Sequence, residues 1–155
     1  MGASKTKKKI KQKINPEERK IKQFQNADAF YNRNPAWNFS NCDKEQWSIY
    51  STNVRNIFWD EIFQRLQNLE KQNWKDILVN GKKHNHSIKT ENLNKIAIDR
   101  LNKLHIEAES LISLKVTGTH RIYGYINDFV FNILWIDLNH GDNSDCVCRS
   151  RKKNT

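Results

Sequence analysis

The sequence predicts an α+β fold in which N-terminal helices pack on a C-terminal antiparallel β-sheet. Apolar residues recur at helical spacing over residues 47–69 and 90–104. By contrast, residues 111–138 are rich in β-branched and aromatic side chains and are divided by short turns, as in consecutive strands. A chain of 155 residues is long enough to bury a core of its own. We therefore expect one folded domain.

The first half of the chain is predicted to be helical. Pro16, followed by two glutamates, suits the first turn of a helix that Asn15 caps and that ends near Arg33. A longer helical pattern covers residues 47–69, with a break near residues 51–53. We assign its aromatic side chains to the core rather than to a base-stacking platform, because exposed aromatics of this size are costly; they are Trp47, Tyr50, Phe58, Trp59 and Phe63.

The second half begins with ambiguous segments and continues into strands. Residues 74–79 could be helix or strand, and the polar residues 82–87 indicate a loop. Thr90 is expected to cap a helix that ends near Leu104. Three strands are predicted after it, at 111–116, 120–126 and 129–138. Both faces of the third strand are mostly apolar, which predicts a strand covered on both sides.

The net charge of +10 belongs mainly to the two ends of the chain. Residues 1–22 and the last seven residues are rich in Lys and Arg, which leaves a net charge of about −1 on residues 23–148. We divide the chain into a basic flexible arm (1–15), a single α+β domain (16–145) and a basic tail (146–155). Basic arms bind nucleic acid through counterion release, here with Lys7, Lys8 and Lys9 as candidates, although a merely solvated tail has the same composition.

The sequence also bears on location, cofactors and metals. No apolar run reaches the length of a membrane span and the N-terminus lacks the apolar segment of a signal peptide, so a cytoplasmic protein is expected. Three cysteines without an export signal argue against a disulfide framework. His140, Cys146 and Cys148, with Cys42, could surround zinc, but the Cys-x-Cys pair is tighter than a standard knuckle. We predict no metal and no other cofactor.

The stretch KVTGTHRIYGYINDFVFNILWIDLNH, residues 115–140, resembles the sheet of RelE/YoeB-type toxins of bacterial toxin–antitoxin pairs. In that family a strand ends in a turn and a basic pair begins the next strand, as in Gly118-Thr119-His120-Arg121 here. A further strand then delivers a His near its end, where this chain has His140. The resemblance covers residues 100–140, about a quarter of the chain.

The resemblance implies a RelE-like fold and a metal-independent endoribonuclease that cleaves mRNA, usually on the ribosome, and is neutralised by a protein antitoxin. Carried over by position, Arg121 would stabilise the scissile phosphate and His140 would act as acid or base. An acidic residue ahead of the sheet, Glu107 or Glu109, would be the partner base, and we take Glu109. The RNA would be contacted by Lys115, His120 and Tyr123. The chain departs from the family where Gly141 follows the terminal His and where about 90 residues precede the matching region.

Other hypotheses explain the same residues. Arg121 could pair with Asp137 or Glu109, and Asn-His-Gly around His140 is ordinary turn chemistry. Instead of an enzyme, the chain could be a non-catalytic module that binds nucleic acid or an acidic protein through its basic arms, or a purely structural protein. The near-neutral charge of residues 23–148 favours the binding module, since RelE-like toxins usually have a basic cleft.

Overall fold

The computed structural model describes residues 30–141 and 146–148. Within them the chain forms a five-stranded sheet whose strands are β1 (Ala36–Asn38), β2 (Asn85–Lys89), β3 (Ser110–Lys115), β4 (Arg121–Asn127) and β5 (Val130–Asp137). Its α-helices are α1 (Thr52–Ile57), α2 (Phe63–Glu70) and α3 (Lys95–Lys103). A π-helical segment, Phe58–Ile62, joins α1 to α2; a second lies at Asp76–Asn80, and a 3₁₀ turn at Thr90–Asn92.

The strand order is β1-β5-β4-β3-β2, and the sheet is mixed. Strands β2 to β5 pair antiparallel with their neighbours, whereas β1 pairs parallel with β5, with Ala36 opposite Val130. The predicted α+β class is confirmed. The purely antiparallel sheet is wrong, because β1 comes from the first half of the chain and enters the sheet alongside β5.

Both faces of the sheet are covered. Because successive side chains of a strand point to opposite faces, each face has its own core. The first core packs sheet residues against the first half of the chain and includes Val54, Ile62, Leu66, Trp74, Leu114, Ile122 and Ile136. The second core packs the other face against α3 and the segment around Val147 and includes Leu93, Ala97, Leu101, Leu111, Tyr123, Trp135 and Val147. The burial of β5 on both faces agrees with its apolar sequence.

A β-bulge interrupts the pairing of β4 with β5. Tyr123 lies opposite Trp135, but the next residue, Gly124, lies opposite Ile133, so Leu134 is an extra residue in β5. A Cβ on Gly124 would lie 2.1 Å from the carbonyl oxygen of Asn132. Glycine is therefore required where the two strands approach each other at the bulge.

Several predicted elements differ from the structure. Residues 85–89 form the edge strand β2 rather than a loop, because the backbone of this polar segment pairs with β3. Residues 74–79 are helical, the last four of them within the π-helical segment Asp76–Asn80. Asn94, not Thr90, caps α3, since its side chain accepts a hydrogen bond from the Ile96 N–H at 2.8 Å. The predicted helix at 16–33 falls outside the described residues up to position 29.

The assignment of the aromatic residues to the core is wrong for part of the set. Tyr50 and Trp59 are 58% and 66% exposed, and Phe63 is 37% exposed. The π-helical segment interrupts the 3.6-residue period on which that assignment depends, and so turns Trp59 away from the sheet. The domain also extends past position 145, because Cys146 and Val147 are buried in the second core rather than part of a tail.

Candidate functional site

The candidate site lies at the end of the sheet where the turn between β3 and β4 passes the end of β5. Lys115, Arg121 and Asp137 are directly opposite one another on neighbouring strands and therefore share the second-core face. His86 of β2 lies opposite Ser113, on the same face and one row further along the strands. We call the four basic residues here, namely His86, Lys115, Arg121 and His140, the basic rim.

Arg121 is anchored on the turn that precedes it. Its Nη1 donates to the carbonyl oxygens of Thr117, Gly118 and His120, at 2.7, 3.1 and 3.1 Å. Burial lowers the pKa of Arg121, but a guanidinium remains protonated in proteins. The cation also interacts with the carboxylate of Asp137 across the strands. The anchored guanidinium is thus a fixed, half-buried positive charge.

His140 is held beside this charge by its backbone and by its ring. Its N–H donates to the Thr119 carbonyl at 2.9 Å, which ties the end of β5 to the turn. Its Nδ1 lies 3.8 Å from Sγ of Cys148. Burial, followed by the positive charges of Arg121 and His86, lowers the pKa of His140. A disulfide sulfur has no proton to donate, so this contact favours the tautomer with hydrogen on Nδ1 and the lone pair on Nε2.

Cys146 and Cys148 are joined by a disulfide, although the sequence argued against disulfides. The backbone between them explains how they meet. The Val147 N–H donates to Asp137 Oδ2 at 2.8 Å, and the Val147 carbonyl accepts from the Asn94 N–H at 2.9 Å. With Val147 fixed in the second core, its two neighbours both lie beside the end of β5. Cys42 is a free thiol, half-buried, and burial raises its pKa to about 11.

The structure separates Glu109 from the other predicted catalytic residues. Glu109 precedes β3, whereas Lys115 ends that strand and pairs with Arg121. Six residues of extended chain separate the two ends, roughly 20 Å. The Glu109 carbonyl accepts from the Thr90 N–H at 2.8 Å, next to the 3₁₀ turn. The prediction that Glu109 shares a phosphate with Arg121 is therefore wrong, and Glu107 is excluded for the same reason.

Two of the predicted RNA contacts are also misplaced. His120 lies on the opposite face from Arg121, as its position in the strand predicts, and its Nδ1 contacts Glu61 Oε1 at 2.6 Å. Tyr123 is fully buried, and burial raises its pKa to about 12, so its side chain cannot reach a ligand in solvent. Lys115 is half-buried within the basic rim. Lys7, Lys8 and Lys9 lie outside the described residues.

His86 is the residue of the rim that sequence reasoning missed. It was assigned to a solvated loop because its neighbours are polar. In the structure it is an exposed residue of β2, close enough to influence the pKa of His140. The sequence signal for a strand here is the alternation of polar His86 with apolar Ile88, and so short a pattern does not predict a strand by itself.

One comparison with known proteins gives a match. A family model described as "Uncharacterised protein UU032" matches residues 23–155, so the chain belongs to this family. No curated protein and no solved structure matches the chain. In the part of the chain that the structure describes, no helix is long and apolar enough to cross a membrane.

Proposed function

We propose that this member of the UU032 family is a metal-independent endoribonuclease that binds and cleaves mRNA at the basic rim, in the manner of RelE/YoeB-type toxins. The observation that carries the proposal is the placement of His140 beside Arg121 at one edge of the sheet, within electrostatic reach of each other. The two residues come from different strands, and the turn between β3 and β4 brings them together.

His140 is suited to act as the general base. Cleavage of RNA without a metal requires removal of the proton from the 2′-hydroxyl, whose oxygen then attacks the adjacent phosphorus. The Nε2 lone pair of His140 can accept this proton, because Nδ1 is occupied by Cys148. Its lowered pKa keeps the ring neutral at pH 7, which is the form that a base needs.

Arg121 is suited to stabilise the charge on the phosphorane. Nη1 donates to the turn, and in the proposal the Nε and Nη2 edge donates to phosphate oxygens. A planar guanidinium matches two oxygens of a phosphate. Because three carbonyls hold it in place, it need not reorganise as charge develops. Lys115, opposite Arg121, adds a second positive charge for the RNA backbone.

His86 replaces Glu109 as the second proton-transfer group of the proposal. The leaving 5′-oxygen needs an acid, and an imidazole can supply a proton near neutral pH. His86 is exposed, lies on the same face as Arg121 and interacts with His140. The proposed acid and base are therefore two histidines, His86 and His140, rather than a histidine and a carboxylate. Arg121 binds the phosphate.

The test is cleavage of a 5′-labelled RNA by the purified full-length protein in the presence of EDTA. Removal of one general acid or base typically costs about 10²–10⁴-fold in rate. We expect losses in this range for His140→Gln and His86→Gln, and a loss for Arg121→Lys, whose ammonium lacks the bidentate fork. His105→Gln is the matched control, since His105 is an exposed histidine that follows α3 and lies beside Arg100 and Asp43 rather than in the rim. Circular dichroism verifies the fold of each variant.

The toxin assignment has its own test in cells. Induced expression of the wild type should arrest growth and fragment mRNA, whereas His140→Gln should do neither. An antitoxin would be a protein that covers the basic rim, for which an acidic segment is the expected chemistry. RNA that binds but is not cleaved, with unchanged binding in the His140→Gln and His86→Gln variants, would refute the enzyme and favour the non-catalytic binding module.

A further inference from the structure

We propose that Cys146, Cys148 and His140 bind one Zn²⁺ ion when the disulfide is reduced, so that this end of β5 exchanges a disulfide for a metal site. In the part of the chain that the structure describes, these three residues are the one group of His, Cys or carboxylate side chains found close enough to share an ion. The inference goes beyond the ribonuclease proposal and does not depend on it.

The geometry suits tetrahedral zinc. The three ligand atoms, two Sγ and Nδ1 of His140, lie within 4.8 Å of one another. Zinc–sulfur and zinc–nitrogen bonds of ordinary length place a sulfur and a nitrogen about 3.6 Å apart and two sulfurs about 3.8 Å apart. Nδ1 of His140 already lies 3.8 Å from Sγ of Cys148. Reduction frees the two sulfurs to separate, and their Cα atoms are 5.2 Å apart.

The tight Cys-x-Cys spacing is no obstacle in this conformation. The segment bends at Val147, so the Cα atoms of the two cysteines lie 5.2 Å apart and their two sulfurs are bonded to each other. Cys148 forms a β-bridge with Leu93, and Val147 between the cysteines is buried in the second core. Both sulfurs therefore lie on the side of the segment that approaches His140. The bend at Val147 thus brings the two sulfurs together at a spacing shorter than that of a standard knuckle.

The surroundings hold the ligands in position. The Gly141 N–H donates to Sγ of Cys146 at 3.4 Å, a contact that favours negative charge on sulfur. The Val147 backbone is fixed from both sides, by Asp137 and by Asn94. The cation of Arg121 near His140 also favours thiolates at this end of the sheet. Cys42 is not part of the set, because its sulfur is not among the ligand atoms that lie within 4.8 Å of one another.

The chemistry balances with a phosphine as reductant. The phosphine gives two electrons to the disulfide and takes an oxygen from water to become the phosphine oxide, and the two protons of that water end on the two thiols. Zn²⁺ then displaces both thiol protons to solvent and forms two Zn–S bonds and one bond to Nδ1 of His140. The fourth position of the tetrahedron is left to solvent.

The experiment is a zinc titration of the full-length protein in competition with a chromophoric chelator, before and after reduction with a phosphine that is then removed. We expect one Zn²⁺ per reduced chain and none for the oxidised chain. The oxidised wild type is the matched control for zinc binding, since it has the same sequence with the two sulfurs still bonded to each other. Cobalt(II) in place of zinc should give the intense visible absorption of a tetrahedral site and sulfur-to-metal charge-transfer bands.

Variants separate this site from adventitious binding. Loss of a group that only supports a metal ligand costs about 10–100-fold in affinity, so loss of a ligand should cost at least that much. We expect such losses for Cys146→Ser, Cys148→Ser and His140→Gln, and none for Cys42→Ser. The proposal is overturned if the reduced wild type binds no zinc, if cobalt binds without thiolate bands, or if the Cys146→Ser/Cys148→Ser double variant binds zinc with wild-type affinity.

Discussion

Asp43 is a buried carboxylate that connects three parts of the second core. Its side chain is 0% exposed. Arg100 of α3 donates to both of its oxygens, from Nη2 at 2.7 Å and from Nε at 2.9 Å. The indole N–H of Trp135, in β5, donates to Oδ2 at 2.9 Å. The backbone N–H groups of Glu45 and Gln46 also donate to this side chain. An ionised carboxylate is a stronger acceptor for these bonds than a neutral amide.

We predict that Asp43→Asn destabilises the protein by about 3–5 kcal/mol, the usual cost of removing one partner from a buried ion pair. The loss is large because Arg100 keeps its charge at 14% exposure, and its other acidic partner, Glu45, is 77% exposed. Domains of this size are stable by only about 5–15 kcal/mol. The measurement is urea unfolding at pH 7, which gives the free energy of unfolding by linear extrapolation.

The matched control is Asp99→Asn, which breaks the exposed pair between Lys95 and Asp99. An exposed ion pair contributes about 0–1 kcal/mol, so this variant should unfold almost like the wild type. Replacing both buried partners, by Asp43→Leu with Arg100→Met, should cost less than Asp43→Asn alone, since no buried charge is left without a partner. If Asp43→Asn lowers the free energy of unfolding by less than about 1 kcal/mol, the prediction that Arg100 needs its buried partner is wrong.

The ion pair between Asp43 and Arg100 also makes the free energy of unfolding depend on pH. Burial alone would raise the pKa of Asp43, but the hydrogen bonds, from Arg100 above all, prevail, and the pKa lies below its usual value. The folded state therefore holds the proton less tightly than the unfolded state. This contribution is fully present above the unfolded pKa, about 3.9, and is lost as the pH falls through the folded value. In Asp43→Asn, the free energy of unfolding should fall less steeply as the pH is lowered.

Three further predictions concern the bulge, the first core and the rim. Gly124→Ala should cost about 3 kcal/mol in urea unfolding, because its Cβ would lie 2.1 Å from the Asn132 carbonyl oxygen. Trp74→Phe should cost at least about 1–3 kcal/mol in the same assay, since Nε1 of this buried residue donates to the Phe129 carbonyl at 2.9 Å. Because the pKa of His140 is lowered in the folded state, the free energy of unfolding should fall as the pH decreases through the unfolded pKa, about 6.5, and less so in His140→Gln.

The strands β3, β4 and β5 could be predicted because their side chains carry the signal. Each is bounded by turn residues and rich in β-branched and aromatic residues, and their bounds agree with the structure within one residue. The edge strands β1 and β2 could not be predicted. In β2, only Asn85 is buried, so no apolar alternation marks the strand. Ala36–Asn38 is too short for a pattern, and its partner lies 94 positions further along the chain.

The site could be predicted in part for the same reason. Arg121 and His140 flank strands that the sequence marks clearly, so their approach follows from ordinary pairing of β4 with β5. His86 depends on the register of β2, which local sequence does not specify. Glu109 was chosen by its position ahead of the sheet, but the direction of β3 places it at the opposite end from Arg121. Tyr123 shares a face with Arg121, yet α3 and Val147 bury that face.

In the proposed reaction, His140 removes the 2′-hydroxyl proton of an RNA bound at the basic rim. The most direct measurement is the rate of RNA cleavage in EDTA together with the chemistry of the new 3′ ends, determined by mass spectrometry. We expect 2′,3′-cyclic phosphate ends and a rate at least about 10²-fold lower for His140→Gln than for the wild type. Intact RNA with the wild-type protein, or an unchanged rate in a folded His140→Gln variant, would contradict the proposed reaction.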